Sequence, residues 1–145
     1  MIAVDTNILV AAFFRQHRDH AAAYQAVAGL AEAPGRWAIP WPCVHEFLAI
    51  TTHPRIYTPA AAPAEAMAAI RNYSQNPACV FLAESPGYLE TLLELLDSSQ
   101  VRGGAIHDAR IAALCLHHGV RELWTADRDF SRFPRLKTRN PLVRK

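Results

Sequence analysis

Two short apolar runs near opposite ends of this chain each lead into an aspartate: Ile2-Ala3-Val4 into Asp5, and Leu123-Trp124-Thr125-Ala126 into Asp127. Runs this short, bounded by polar residues, read as strands buried on both faces and not as helices. Further runs at Trp37–Pro40, at Ala78–Ala83 and, shorter still, near Leu136–Thr138 are separated by helical patterns. Apolar strands alternating with helices restrict the chain to the α/β class, with a parallel sheet covered on both faces.

The helical segments have recognisable ends. Asn7 is suited to cap a helix through Phe14, since its side chain accepts from free N–H groups. A second helix runs over Asp19–Ala33, ahead of Pro34-Gly35. Pro42 opens a third, through Thr52, and Pro54 stops it. The next spans Pro63–Gln75. Ser85-Pro86 supplies a cap and a first-turn proline for a helix through Asp97. Gly103-Gly104 precede the last helix, which ends near His118 with Gly119 as its stop. No repeat, low-complexity block or linker interrupts this order, so residues 1–145 are expected to form a single domain.

Length and composition set outer bounds. The chain has 145 residues, 51% of them apolar, enough for one core of ordinary size. No apolar run approaches the roughly 20 residues that span a bilayer. Met1-Ile2-Ala3-Val4-Asp5 lacks the basic start and cleavage site of a signal peptide and reads as a first strand, so the expected location is the cytoplasm. Cys43, Cys79 and Cys115 are odd in number and far apart. They suit buried apolar positions in a reducing compartment better than disulfides or a zinc site. The net charge of +2 is unevenly spread: residues 1–120 hold seven basic and ten acidic side chains, residues 121–145 eight and three. A basic segment beside an acidic cluster suits a polyanionic substrate, although a solvated tail has the same composition.

Four acids carry the functional reading. Asp5 and Asp127 lie at the C-terminal ends of strands, the edge of an open α/β sheet where ligands bind. Glu46 shares a helical face with Cys43, Ala49 and Ile50, and Asp108 shares one with Ile111, Ala112 and Cys115. Neither acid sits on an outward stripe. Asp108 also falls in a helix first turn, where the macrodipole favours a carboxylate. Each acid has an ordinary structural use: Asp5 as a helix cap, Asp108 as a dipole complement, Asp127 as the start of a turn, Glu46 as an arginine's partner. Their convergence on one edge is what points to chemistry. Clustered carboxylates repel and raise one another's pKa unless a cation intervenes. Mg²⁺ suits an oxygen-rich site, and Mn²⁺ is also compatible.

Such a centre favours phosphodiester hydrolysis, because a divalent cation activates water and stabilises charge on the transferring phosphate. No serine or cysteine nucleophile stands in a motif, and Gly103-Gly104 is too short for a phosphate-binding loop. A phosphotransferase with a nucleophilic aspartate needs an acid two residues after the first strand's aspartate, or a late lysine. Asn7 fills the former position, and the only lysines are Lys137 and Lys145.

The ordered motifs Val4-Asp5-Thr6-Asn7-Ile8-Leu9, Glu46-Phe47, His107-Asp108-Ala109 and Thr125-Ala126-Asp127-Arg128-Asp129-Phe130 resemble the PIN-domain family, specifically its VapC-type toxins. Thr51-Thr52-His53-Pro54-Arg55 is similar to a VapC subgroup. The resemblance covers nearly the whole chain. It implies a three-layer α/β/α sandwich with a central parallel sheet and Mg²⁺-dependent endoribonuclease activity. It also implies Asp5, Glu46, Asp108 and Asp127 as an acidic quartet, with Asn7, Thr125 and Asp129 in support. A homodimer and a cognate antitoxin protein follow from it as well. No DNA-or-RNA preference is legible in the residues themselves.

Together these readings make Asp5, Asp108 and Asp127 the expected metal holders and Glu46 the group that orients or deprotonates water. Arg15, Arg18, Arg55, Arg128, Arg132 and Arg135 are candidates for RNA phosphates, or equally for a solvated surface. His117 and His118 are expected to complement a helix C-terminus, and Phe13, Phe14, Trp37, Trp41, Phe47 and Trp124 to be mostly core. The competing reading is a non-catalytic PIN-like module that binds RNA or protein. Buried acids argue against it.

Overall fold

In the computed structural model, residues 1–143 are described; Arg144 and Lys145, the last two of the basic segment, lie outside the described residues. The order is β1 (Ile2–Val4), α1 (Thr6–Phe13), α2 (His20–Glu32), β2 (Trp37–Pro40), α3 (Trp41–Thr51), α4 (Pro63–Ser74), β3 (Cys79–Leu82), α5 (Tyr88–Ser99), α6 (Ala105–His117), β4 (Glu122–Trp124), a 3₁₀ turn (Arg128–Arg132) and β5 (Thr138–Arg139). The five strands form one parallel sheet in the order β3-β2-β1-β4-β5, flanked by helices as an α/β/α sandwich. Among the described residues, no helix is long and apolar enough to cross a membrane.

The strand order positions the site. The chain builds outward from β1 through β2 to β3, then returns to the other side of β1 for β4 and β5. Connections leaving β1 and β4 therefore diverge, and a crevice opens at their C-terminal ends. The register pairs Ile2 with Glu122 and Val4 with Trp124, so the residues just beyond, Asp5 and Thr125, stand side by side. The backbone N–H of Asp5 continues this pairing, donating to the carbonyl of Trp124 at 3.0 Å.

All four residues of β2 are buried, as the continuous apolar run demands of a strand covered on both faces. The core joins Ala3 and Val4 of β1 to Ile8 and Leu9 of α1, Phe47 of α3, Ile111 and Leu123. Cys43 and Cys115 are fully buried and Cys79 half-buried, all three as free thiols. Phe47 is completely buried and meets Phe13 edge to face, with ring centroids 5.4 Å apart. Phe47→Ala is expected to remove about 3–5 kcal/mol of stability through transfer and cavity terms. Denaturant titration checks this, and a loss below about 1 kcal/mol would mean that the site collapses around the missing ring.

Two helix starts and one strand depart from expectation. Asp5, not Asn7, caps α1: its Oδ1 accepts from the Thr6 N–H at 2.8 Å, and Asn7 already lies within the helix. The strand ends with its apolar run at Val4 and the helix starts at Thr6, so the acid between them takes the cap. Ser85-Pro86 does not cap α5. Ser85-Pro86-Gly87-Tyr88 instead forms a turn closed by the Tyr88 N–H on the Ser85 carbonyl at 3.0 Å, with Gly87 at φ 96°. Proline followed by a left-handed glycine is the signature of a type II turn, so the helix starts only at Tyr88. Finally, β5 lies at Thr138–Arg139, beyond the expected Leu136, which is buried in the core. Gly119, at φ +68°, ends α6 as expected.

Trp41 is 40% exposed, the one clear exception among the aromatics expected in the core. His117 and His118 do not simply face the end of α6. Their Nε2 atoms lie 2.6 Å from Ser85 Oγ and 2.7 Å from the Ala83 carbonyl, tying the helix end to the segment after β3.

Candidate active site

Asp5 is the floor of the crevice. It is 4% exposed, which for an ionised carboxylate requires compensation. Four donors supply some. Oδ1 accepts from the Thr6 N–H at 2.8 Å and from the Cys43 thiol at 3.5 Å. Oδ2 accepts from the Thr125 hydroxyl at 2.7 Å and the Asn7 amide at 3.3 Å. Burial nevertheless holds the Asp5 carboxyl above its ordinary pKa, against the lowering effect of Thr125, Thr6 and Cys43, and the nearby charge of Glu46 adds to the rise. Burial also pushes the Cys43 thiol far up, so it stays protonated and able to donate.

Asn7 staples the two strand ends together. Its Nδ2 donates to Thr125 Oγ1 at 3.2 Å, and its Oδ1 accepts from the Ala126 N–H at 3.0 Å. Thr125, itself 4% exposed, accepts in turn from the Asp127 N–H at 3.0 Å. Asp127 caps the following 3₁₀ turn, with Oδ1 accepting from the Asp129 N–H at 2.8 Å. The structural uses foreseen for Asp5 and Asp127 as cap and turn are thus real, and both acids still face the same crevice.

Asp108, in the first turn of α6, completes an open triad with Asp127 and Asp129. One oxygen from each lies within 4.8 Å of the others. The Asp108 carboxyl is held above its ordinary pKa, first by partial burial, then by the charges of Asp127, Asp5, Asp129 and Glu46. All five acids therefore share one electrostatic neighbourhood. Glu46 reaches it from α3, where its Oε2 accepts from the Thr6 hydroxyl at 2.8 Å. Its helical stripe is only partly inward, since Cys43 is buried while Ala49 is exposed.

The donor set fits a hard divalent cation. Oxygens bound to one octahedral Mg²⁺ at about 2.1 Å are about 3 to 4.2 Å apart, and the triad, whose oxygens all lie within 4.8 Å of one another, would close to that on side-chain rotation. No nitrogen or sulfur ligand competes among the triad. Asp5 stands outside it, its lone pairs taken up by four donors.

The candidate RNA-contacting arginines are all exposed and are not equivalent. Arg132 pairs with Asp129 at 3.6 Å, Arg135 with Glu94 at 3.6 Å and Arg18 with Asp19 at 3.5 Å. Arg15, Arg55 and Arg128 make no ion pair among the described residues. Arg128 and Arg132 frame the triad on the 3₁₀ turn, whereas Arg15 and Arg18 follow the far end of α1. Two residues at the site escaped sequence reading. Thr6 was hidden because a threonine in a helix first turn is ordinary; Cys43 was legible only as an apolar neighbour of Glu46.

The same fold and family recur in known proteins. The family model of the PIN domain matches residues 2–136. Ribonuclease VapC48 of Mycobacterium tuberculosis is 30% identical over 137 residues, spanning 94% of each chain. Ribonuclease VapC43 of the same species is 30% identical over 142 residues, 98% of this chain and 96% of that one. Among solved structures, VapBC2 from Rickettsia felis, bound to a DNA fragment from its promoter, superposes with a TM-score of 0.69 at 21% identity, covering 97% of this chain and 98% of that one. The M. tuberculosis toxin VapC20, which cleaves the sarcin–ricin loop, gives 0.66 at 19% identity over 90% and 93%.

Proposed function

Because the chain belongs to the PIN-domain family, with VapC ribonucleases as its relatives, we propose that it is a divalent-metal-dependent endoribonuclease, the toxin of a toxin–antitoxin pair. The observation that carries this reading is the gathering of Asp5, Glu46, Asp108, Asp127 and Asp129 at the switch-point crevice of the sheet. The reading places the protein in the cytoplasm as a homodimer and gives it a small antitoxin as partner. The solved VapBC complexes of the same fold support the antitoxin assignment.

Asp5, Asp108 and Asp127 would hold Mg²⁺, or Mn²⁺ in its place, Asp108 and Asp127 directly and Asp5 through water because four donors already occupy its carboxylate, with Asp129 as a further oxygen donor. Such an ion supplies Lewis-acid stabilisation of the charge that builds on a transferring phosphate. Glu46 orients the attacking water and accepts its proton, being the acid that stands apart from the triad. Asn7 and Thr125 keep Asp5 and Asp127 at a fixed spacing by joining the ends of β1 and β4. Arg128 and Arg132 are placed to meet the RNA backbone, and the 3′ oxygen departs as the leaving group.

The test is incubation of the purified, antitoxin-free protein with total cellular RNA in Mg²⁺ or in EDTA, with new ends mapped by sequencing. Discrete cuts that vanish in EDTA are the expected result. Intact RNA from folded protein in Mg²⁺ would favour a binding module.

A further inference from the structure

The two acids with the most distinct surroundings, buried Asp5 and half-buried Glu46, meet through a single residue. The Thr6 backbone N–H donates to Asp5 Oδ1 at 2.8 Å, and the Thr6 hydroxyl donates to Glu46 Oε2, also at 2.8 Å. Thr6 is itself 5% exposed. Its backbone is fixed at the start of α1, and its β-branched side chain has few rotamers to choose from. Glu46, by contrast, is a long, flexible side chain on a different helix, and the Thr6 hydroxyl is the one hydrogen-bond donor to its carboxylate among the described residues.

We infer that Thr6 is a positioning residue that sets where the Glu46 carboxylate stands relative to Asp5. Resting on the hydrolase reading above, this assigns Thr6 the task of aiming the proton acceptor at the attacking water. A proton acceptor must lie within hydrogen-bond reach of the proton it takes, and displacement of a reacting group by about 1 Å can lower a rate about 100-fold. One oxygen, Oε2, is held by the hydroxyl, which leaves Oε1 free to face water. A valine at this position keeps the shape and the buried methyl group while removing the hydroxyl that donates to Glu46.

The experiment compares wild type, Thr6→Val, Thr6→Ser, Glu46→Gln and the double variant Thr6→Val/Glu46→Gln in single-turnover RNA cleavage. Crystal structures of wild type, Thr6→Val and Thr6→Ser accompany the rates. Thr6→Val is expected to lower the maximal single-turnover rate constant about 10- to 100-fold with the half-saturating protein concentration within about threefold of wild type, as for an interaction that matters in the transition state. Thr6→Ser should return to within about threefold, and in the Glu46→Gln background the valine should lower the rate by no more than about twofold. The Glu46 side chain should leave its wild-type rotamer in Thr6→Val and keep it in Thr6→Ser. Equal loss from valine with and without Glu46, or an unmoved Glu46 carboxylate in Thr6→Val, would overturn the inference. A wild type that leaves RNA intact would instead defeat the hydrolase reading, and the rotamer comparison would still decide what Thr6 does.

Discussion

Asp5→Asn is expected to lower RNA cleavage by about a thousandfold or more while leaving the fold in place. The side chain sits at the point where the ends of β1 and β4, the first turn of α1 and the buried thiol of α3 all converge. Asparagine keeps the shape and one acceptor, so the cap on α1 survives. It removes the negative charge around which the crevice is organised, and metal-assisted phosphoryl transfer depends on such charge by several kcal/mol. Its effect on stability is small because two terms oppose. Deleting a charge whose pKa is raised by burial stabilises the fold, whereas the new amide hydrogens face the donors of Thr125 and Asn7. The net change should stay within about 1–2 kcal/mol. Cleavage rates and thermal unfolding of the same preparation separate the two roles. Wild-type turnover in the variant would remove Asp5 from the chemistry, and an unfolded variant would reduce it to a helix cap.

A divalent cation should raise the melting temperature, and the gain should disappear in Asp108→Asn/Asp127→Asn. At a concentration 100 times its Kd, a ligand specific for the folded state stabilises by about 2.7 kcal/mol. For a chain of this size that is a shift of about 5–10 °C. Without an ion, Asp5 and Asp108 both hold their protons more tightly when folded than when unfolded. In the pH range from the ordinary value of 3.8 up to these raised values, the folded state binds more protons. These two groups therefore make the ion-free protein lose stability as pH rises through that range, and the loss persists at neutral pH. A cation reverses it by favouring the ionised forms. The thermal gain should consequently be full at neutral pH and shrink as protons compete in acid. Scanning fluorimetry with MgCl₂ or MnCl₂ at several pH values tests this, and equal shifts in wild type and the double variant would mean that the ion binds elsewhere.

Sequence legibility followed burial. Asp5 and Asp127 could be found because each follows an apolar run, and although each also serves as a cap, the two runs end at one edge of the sheet. Asp108 could be found because the residues three, four and seven positions later are all apolar, and all are buried. Glu46 was harder: its stripe mixes buried Cys43 with exposed Ala49, so periodicity alone overstates how deeply it sits. Asp129, expected only in support, shares the closest carboxylate triad because the 3₁₀ turn after Asp127 folds it back.

By itself, the sequence determined the alternation of strands and helices, the parallel sense of the sheet and the four acids at its edge. These depend on local patterns of apolar side chains, which act over a few residues. The tertiary structure alone decided the strand order β3-β2-β1-β4-β5, and with it which acids face one another. It also decided that Thr6 reaches Glu46 across 40 positions and Thr125 reaches Asp5 across 120. A hydrogen bond of 2.8 Å depends on the rotation and offset of two packed elements, and no local pattern encodes either quantity.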